Sequence, residues 1–215
     1  MDLALFDFDG TITTTDTWTP FMQLAVRPAR IVAGRVLLSP VVVGYKLGMI
    51  SASRGRQVAA RVGFQGEDAA RMRRLGVEYA TSTLPAQVRQ PALDRIAWHR
   101  SRGDQVVIVS ASLDLYLSPW CAGRGLDCIC TTLEERDGRL TGRCAGGDCA
   151  GLEKVRRIRQ RFDLGRYETV YAYGDSVEDR EMLELAQRKY YRWQEISSWA
   201  DVTEYAHPPS HAGRG

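Results

Sequence analysis

Cysteine is sparse and odd in number: Cys121, Cys128, Cys130, Cys144 and Cys149 are the five in 215 residues. A chain of that length buries enough core to stand without crosslinks, so a disulfide-stapled fold is not expected. Tight Cys-x-x-Cys pairs are missing as well, which favours buried, inert thiols over a zinc site. Histidine is rarer still, and none of His99, His207 and His211 shows a recognisable pairing with a carboxylate. Excess charge of one sign is lacking: Lys and Arg number 29 against 26 Asp and Glu, leaving +3. The basic runs at Arg71, Arg73 and Arg74 and at Arg157, Arg159 and Arg161 read as surface. They carry no interleaved aromatics, so nucleic acid is not an expected partner. The first residues offer neither a basic stretch nor a small-residue cleavage site, which disfavours secretion and makes a reducing cytoplasm the expected location. No internal repeat is found.

Hydrophobic residues make up 44% of the chain and charged residues 26%, a globular balance. Short apolar runs at 3–8, 105–110, 127–131 and 169–174 read as strands, and helical patterns at 88–102, 113–124, 152–163 and 177–187 separate them. Such alternation predicts an α/β fold: a Rossmann-like parallel sheet with helices on both faces. Ligands of such sheets bind at the carboxyl ends of the strands, where Asp7, Asp9, Ser110 and Asp175 would gather. The connection 13–85 is far longer than a crossover needs and reads as a helical cap inserted after the first strand. The core then comprises 1–12 and 86–205. The tail 206–215 has almost nothing to bury and is expected to be disordered. Asp137-Gly138 predicts a hairpin turn.

Residues 31–50 approach the length of a membrane span but contain Arg35, Pro40 and Lys46. Two readings stay open. One is a cap helix buried on most sides and kinked near Pro40; the other is a helix that rests on a bilayer surface or lines an apolar substrate tunnel.

The chemistry lies in four separated segments. Asp7-Phe8-Asp9-Gly10-Thr11 follows the first strand, and alternation along an extended segment puts Asp7 and Asp9 on one side. Two converging carboxylates repel unless a cation or a proton lies between them, and a hard divalent ion suits oxygen ligands. Gly10 allows close approach of backbone N–H groups to an anion. Ser110 ends the second strand, where its hydroxyl and the neighbouring N–H groups, with Ala111 following, suit an anion or a helix cap. Lys154 sits in the first turn of a helix, unfavourable for a cation unless it faces an anion. Asp175, Glu178 and Asp179 follow the fourth strand.

In this order the four segments resemble the motifs of the haloacid dehalogenase superfamily, closest to its phosphoserine phosphatase-like branch. The resemblance covers about 2–12 and 86–190. It implies a phosphatase in which Asp7 is the nucleophile, Asp9 the general acid and base, and Ser110 and Lys154 the phosphoryl ligands. It also implies Mg²⁺ held by Asp7, the Asp9 carbonyl and Asp175, with Asp179 supporting its water shell or orienting Lys154. Gly10, Thr11, Ser110, Ala111 and Asp16 are the expected substrate contacts, and the substrate is a small phosphate ester. The phosphoserine enzymes usually have glycines after the second-motif Ser, where this chain has Ala111, Ser112 and Leu113. Glu178 replaces a frequent Asn and is expected to add negative charge near the phosphate. Asp16 with Arg54, Arg56 or Arg61 would be the counterparts of the clasp on an amino-acid substrate. Two alternatives remain: a membrane-associated lipid phosphatase, like the phosphatidylglycerophosphate phosphatases of that branch, and a non-catalytic phospho-aspartate signalling module.

Overall fold

Successive residues of the first strand point into two different apolar layers. The computed structural model describes residues 1–204, apart from the side chains at 35–37, 42, 46, 203 and 204. The disorder expected at 206–215 therefore falls outside the described residues. Strand β1 (Leu3–Phe6) is buried throughout. Leu3 and Leu5 belong to one apolar cluster, and Ala4 and Phe6 to another on the opposite face. Only a central strand covered on both sides requires such a run. It pairs in parallel with β2 (Gln105–Leu113) and β5 (Val170–Gly174). Beyond these, β3 (Asp127–Arg136) joins β2 and β6 (Arg188–Tyr191) joins β5, again in parallel. Antiparallel β4 (Arg139–Ala145) and β7 (Gln194–Ile196) form the edges, giving the order β4-β3-β2-β1-β5-β6-β7.

The sequence reading misses β6 and β7, since segments of four and three residues are too short to show a period. The predicted hairpin turn is present between β3 and β4, with Asp137 and Gly138 both at positive φ (51° and 74°), as a tight turn matched to strand twist requires. Helices α5 (Gln90–Ser101) and α6 (Asp114–Ala122) cover the Phe6 face, while α7 (Leu152–Arg161) and α8 (Arg180–Glu184) cover the Leu3 face.

Between β1 and α5 lie α1 (Trp18–Ala25), α2 (Pro28–Lys46), α3 (Ala52–Phe64) and α4 (Ala69–Glu78). The two ends of this insertion are joined by a bridge between Thr13 and Val88, and Arg89 donates to the carbonyls of Thr13 and Gly10. Phe21 packs on Phe64, Tyr79 and Tyr116, so an aromatic cluster ties α1 and α3 to α6. Gly76 brings α4 against the α6 backbone: a Cβ there would fall 2.0 Å from the Leu115 carbonyl oxygen.

Helix α2 corrects one expectation. It bends by 52° between Pro28–Gly34 and Leu38–Tyr45, one turn before Pro40, where a missing N–H and the ring displace the carbonyl four residues earlier. The kink is thus as expected, but the burial is not. Val32 is 62% exposed and Tyr45 54%, so the helix is not buried on most sides. Among the described residues no single helix is long and apolar enough to cross a membrane; the two halves of α2 reach that length and composition only together, across the bend.

His99 is a second correction, because it does pair with a carboxylate. Its Nδ1 lies 2.9 Å from Asp104 Oδ2 and its Nε2 2.9 Å from Tyr173 Oη, with the ring fully buried. The partner is five residues away, across the turn that follows α5, a separation without helical or strand period. Burial holds the His99 pKa below its ordinary value, against the pull of Asp104. The folded chain therefore keeps the ring neutral where the unfolded chain takes up a proton, so its contribution is complete above about pH 6.5 and lost as pH falls. We expect the stability cost of His99→Gln, read by urea unfolding, to be larger at about pH 7 than at about pH 5.5. A cost constant over that window would show that the ring does not titrate on unfolding.

Candidate active site

Asp7 follows β1 in the ladder, its N–H donating to the Tyr173 carbonyl at 2.9 Å. It continues the alternation of Leu3 and Leu5 toward the face covered by α7, from whose first turn Lys154 reaches it. Lys154 Nζ donates to Asp7 Oδ1 at 2.6 Å and to Asp179 Oδ1 at 2.5 Å. The lysine is 2% exposed, which settles its choice between surface and anion. Burial works against its charge, but Asp179 and Asp7 outweigh it and hold the ammonium well above its ordinary pKa. The other oxygen of Asp179 accepts from the backbone N–H of Asp175 and Ser176 and from Ser176 Oγ. Asp179 thus has both oxygens committed, one of them to orienting Lys154.

Asp9 faces different partners. Its Oδ1 accepts from Thr17 Oγ1 at 2.6 Å and Thr17 N at 3.0 Å, and its Oδ2 from Ser112 Oγ at 2.7 Å. Tyr116 Oη lies 3.1 Å from the Thr17 hydroxyl, and Tyr79 Oη donates to the Thr17 carbonyl. Asp7 and Asp9 do line one cavity, but the strand ends at Phe6 and a turn follows, so simple alternation does not carry through to Asp9. Burial pushes the Asp9 carboxyl up to about 6 despite the hydroxyls that favour its charged form. Thr17, Ser112 and Tyr116 were missed by the sequence reading. Ser112 stands where the phosphoserine phosphatases that the motifs resemble usually have glycine, and that departure is the available signal.

The cavity that joins these groups has a volume of about 450 Å³ and is lined by Gly10, Asp16, Ser110, Ala111 and Asp175 as well as Asp7, Asp9, Lys154 and Asp179. Ser110 is buried, and its Oγ accepts from Ser112 N at 3.1 Å. Thr11, an expected substrate contact, is not among the lining residues; it is buried, with its hydroxyl 3.5 Å from Asp175 Oδ1. Asp16 caps α1 by accepting from Trp18 N and Thr19 N. Of the three candidate arginines, Arg56 lines the cavity. Its Nη2 donates to Asp148 Oδ2 at 2.7 Å and Glu178 Oε2 at 2.8 Å, tying α3 to the loops after β4 and β5. Glu178 is therefore paired, but Asp148 shares the same guanidinium, so the two acids keep a net negative charge of one beside the cavity, in keeping with the expectation. Arg157, expected on a basic surface, is a brace: it pairs with Glu153 and donates to the carbonyls of Cys130 and Gly147. All five cysteines are unpaired, three buried and two part-buried. Burial raises the Cys149 thiol to about 12, which leaves it protonated and inert.

One carboxylate oxygen from each of Asp7, Asp175 and Asp179 lies within 4.8 Å of the others. Burial, helped by Asp179, raises Asp175 to about 6, and burial with Asp179 also raises Asp7. Three acids share one ammonium, an excess of negative charge that a hard divalent cation would offset. Gly10, at φ 77°, makes room for this: a Cβ there would fall 2.1 Å from Asp175 Oδ2. The residues present fit Mg²⁺, and the Asp9 side chain, engaged elsewhere, leaves only its carbonyl for that role. Replacing the one cation that the acids share should be costly. Lys154→Met is expected to lower the unfolding free energy by about 3–5 kcal/mol in metal-free urea titrations, whereas a loss under about 1 kcal/mol would mean the acids are already neutral.

Comparison with known proteins shows the family. The model of the haloacid dehalogenase-like hydrolase family matches residues 4–184. Protein CicA of Caulobacter vibrioides is 34% identical over 194 residues, which cover 88% of this chain and 85% of the relative. A crystal structure of a protein of unknown function from Bordetella pertussis Tohama I superposes with a TM-score of 0.74 at 26% identity, over 88% and 89% of the two chains. A probable phosphoserine phosphatase from Vibrio cholerae gives 0.66 at 14% identity, over 95% of this chain and 64% of its own, and so shares the fold. The family is one of enzymes, which sets the signalling module aside: the chain belongs to the haloacid dehalogenase-like hydrolases.

Proposed function

We propose that the protein is a Mg²⁺-dependent phosphomonoesterase that works through an aspartyl-phosphate on Asp7. The observation that carries this reading is the sharing of one buried ammonium by Asp7 and Asp179 at the wall of a cavity that also holds Asp9 and Ser110. In the first step an Asp7 oxygen attacks phosphorus, the P–O ester bond breaks, and the Asp9 carboxyl gives its proton to the leaving alkoxide. In the second a water attacks phosphorus, Asp9 takes up its proton, and the Asp7–phosphorus bond breaks to release phosphate. A carboxyl pushed up to about 6 suits both duties near neutral pH. Ser110 and Lys154 bind the phosphoryl oxygens, and Lys154 also keeps Asp7 oriented. Asp7, the Asp9 carbonyl and Asp175, with Asp179 behind the water shell, would hold Mg²⁺, which when bound neutralises charge on the transferring group. Residues 13–85 act as a cap that excludes bulk water while the acyl phosphate exists. Five unpaired thiols suit a reducing, cytoplasmic setting.

Asp7→Asn should abolish turnover of p-nitrophenyl phosphate with an unchanged circular dichroism spectrum, and EDTA should do the same until Mg²⁺ is returned. Turnover by purified Asp7→Asn at the wild-type rate would end the nucleophile assignment. Asp9→Asn should separate substrates by leaving group. An alkyl phosphate should lose about 10²–10⁴ in kcat/KM, while the p-nitrophenyl ester, whose leaving group needs no proton, should lose less. Equal losses would deny Asp9 the role of acid.

A further inference from the structure

Beyond the catalytic cavity the molecule continues as an apolar groove. A second cavity, of about 480 Å³, shares Asp16, Trp18 and Arg56 with the catalytic one and runs on between Leu38, Val41 and Ala59. A third, of about 290 Å³, shares Trp18, Thr19, Leu38 and Ala59 with the second and is walled by Met22, Ile31 and Val62. Trp18 borders all three. The floor of this path is α1 and its walls are α2 and α3, so the site opens directly onto an apolar trough.

The polar groups at the junction are already occupied. Asp16 accepts from two N–H groups of α1, and Arg56 is held by Asp148 and Glu178. Beyond that junction Leu38, Val41, Met22, Ile31 and Val62 offer a hydrocarbon side chains of its own polarity, and Arg30, the charged group among the described lining residues there, is taken by Glu67. Charge fits an anionic amphiphile as well. No Asp or Glu occurs between Asp16 and Glu67, a stretch with six arginines and one lysine. Two of them, Arg27 and Arg30, reach Glu67, so the segment keeps a positive excess.

We propose that the substrate is a phosphate monoester bearing a single apolar chain, which lies in the groove between α1, α2 and α3 while its phosphate lies against Asp7. The proposal rests on the phosphatase reading above and gives its substrate class. The occupant is the chain of the substrate itself, whether that molecule arrives from solution or from a lipid surface. Vesicle-borne and monomeric substrates therefore obey the same chain-length rule.

The test is a series of n-alkyl phosphates, from ethyl to decyl, each below its micelle concentration, given to the full-length protein with Mg²⁺. Full burial of a methylene corresponds to about a fourfold gain, so kcat/KM should rise by at least about tenfold between the ethyl and octyl esters. Ala59→Asp and Leu38→Asp, each placing a charge in the groove, should cut the octyl-to-ethyl ratio toward unity. Calorimetry with decylphosphonate and ethylphosphonate reads binding without turnover. The long ligand should bind more tightly, with a more negative heat-capacity change. If ethyl phosphate is hydrolysed but the series is flat, the chain-length proposal is overturned while the phosphatase stands. A slope unchanged by both substitutions places the chain elsewhere and overturns it too. If no ester is hydrolysed the phosphatase reading fails, and equal binding of the two phosphonates then removes the groove as well.

Discussion

A single ammonium stands against three carboxylates in a place that water barely reaches. Lys154 touches Asp7 and Asp179, and Asp175 lies beside them. A lysine so buried keeps its proton only because the acids outweigh the loss of hydration, and the lysine in turn offsets part of the repulsion among the acids. The contacts join the end of β1, the start of α7 and the loop after β5, three places far apart in sequence. Neither the sheet order nor the helix layers alone would bring them into register. Their contact leaves a surplus of negative charge, which suits the locus to a cation, and an anionic phosphoryl group would need that cation beside it.

Much of this was legible because the chemistry uses short, fixed spacings. Asp7-x-Asp9, the strand-end Ser110, the first-turn Lys154 and the Asp175–Asp179 loop can each be read from neighbours within a few residues. The parallel sheet was equally plain, since its central strands are uninterrupted apolar runs. What sequence could not give was partner choice across space. Nothing near Glu178 shows that Arg56 will pair with it, and nothing near Asp9 shows that Thr17 and Ser112 will hold it. His99 and Asp104 meet across a turn rather than along a period, so pattern reading passes over them. The exposure of α2 escaped for another reason. Its apolar content implied burial, whereas the adjoining helices meet only part of its surface.

The division of labour between the sheet and the insertion follows from loop and helix character. Groups that touch phosphorus in the proposed reaction come from strand ends and from α7, which the sheet holds rigid. The residues that border the apolar groove come from α1, α2 and α3, which sit outside the sheet layers.

Thr17 is the first residue to leave that rule. It starts α1, yet both its amide and its hydroxyl grip the Asp9 carboxylate, and Tyr79 at the far end of the insertion grips its carbonyl. Any swing of the inserted helices must drag those fastenings along or break them. In the proposed reaction, proton delivery by Asp9 and the position of the insertion are thereby geared together, so that moving the inserted helices away would leave the acid misaligned.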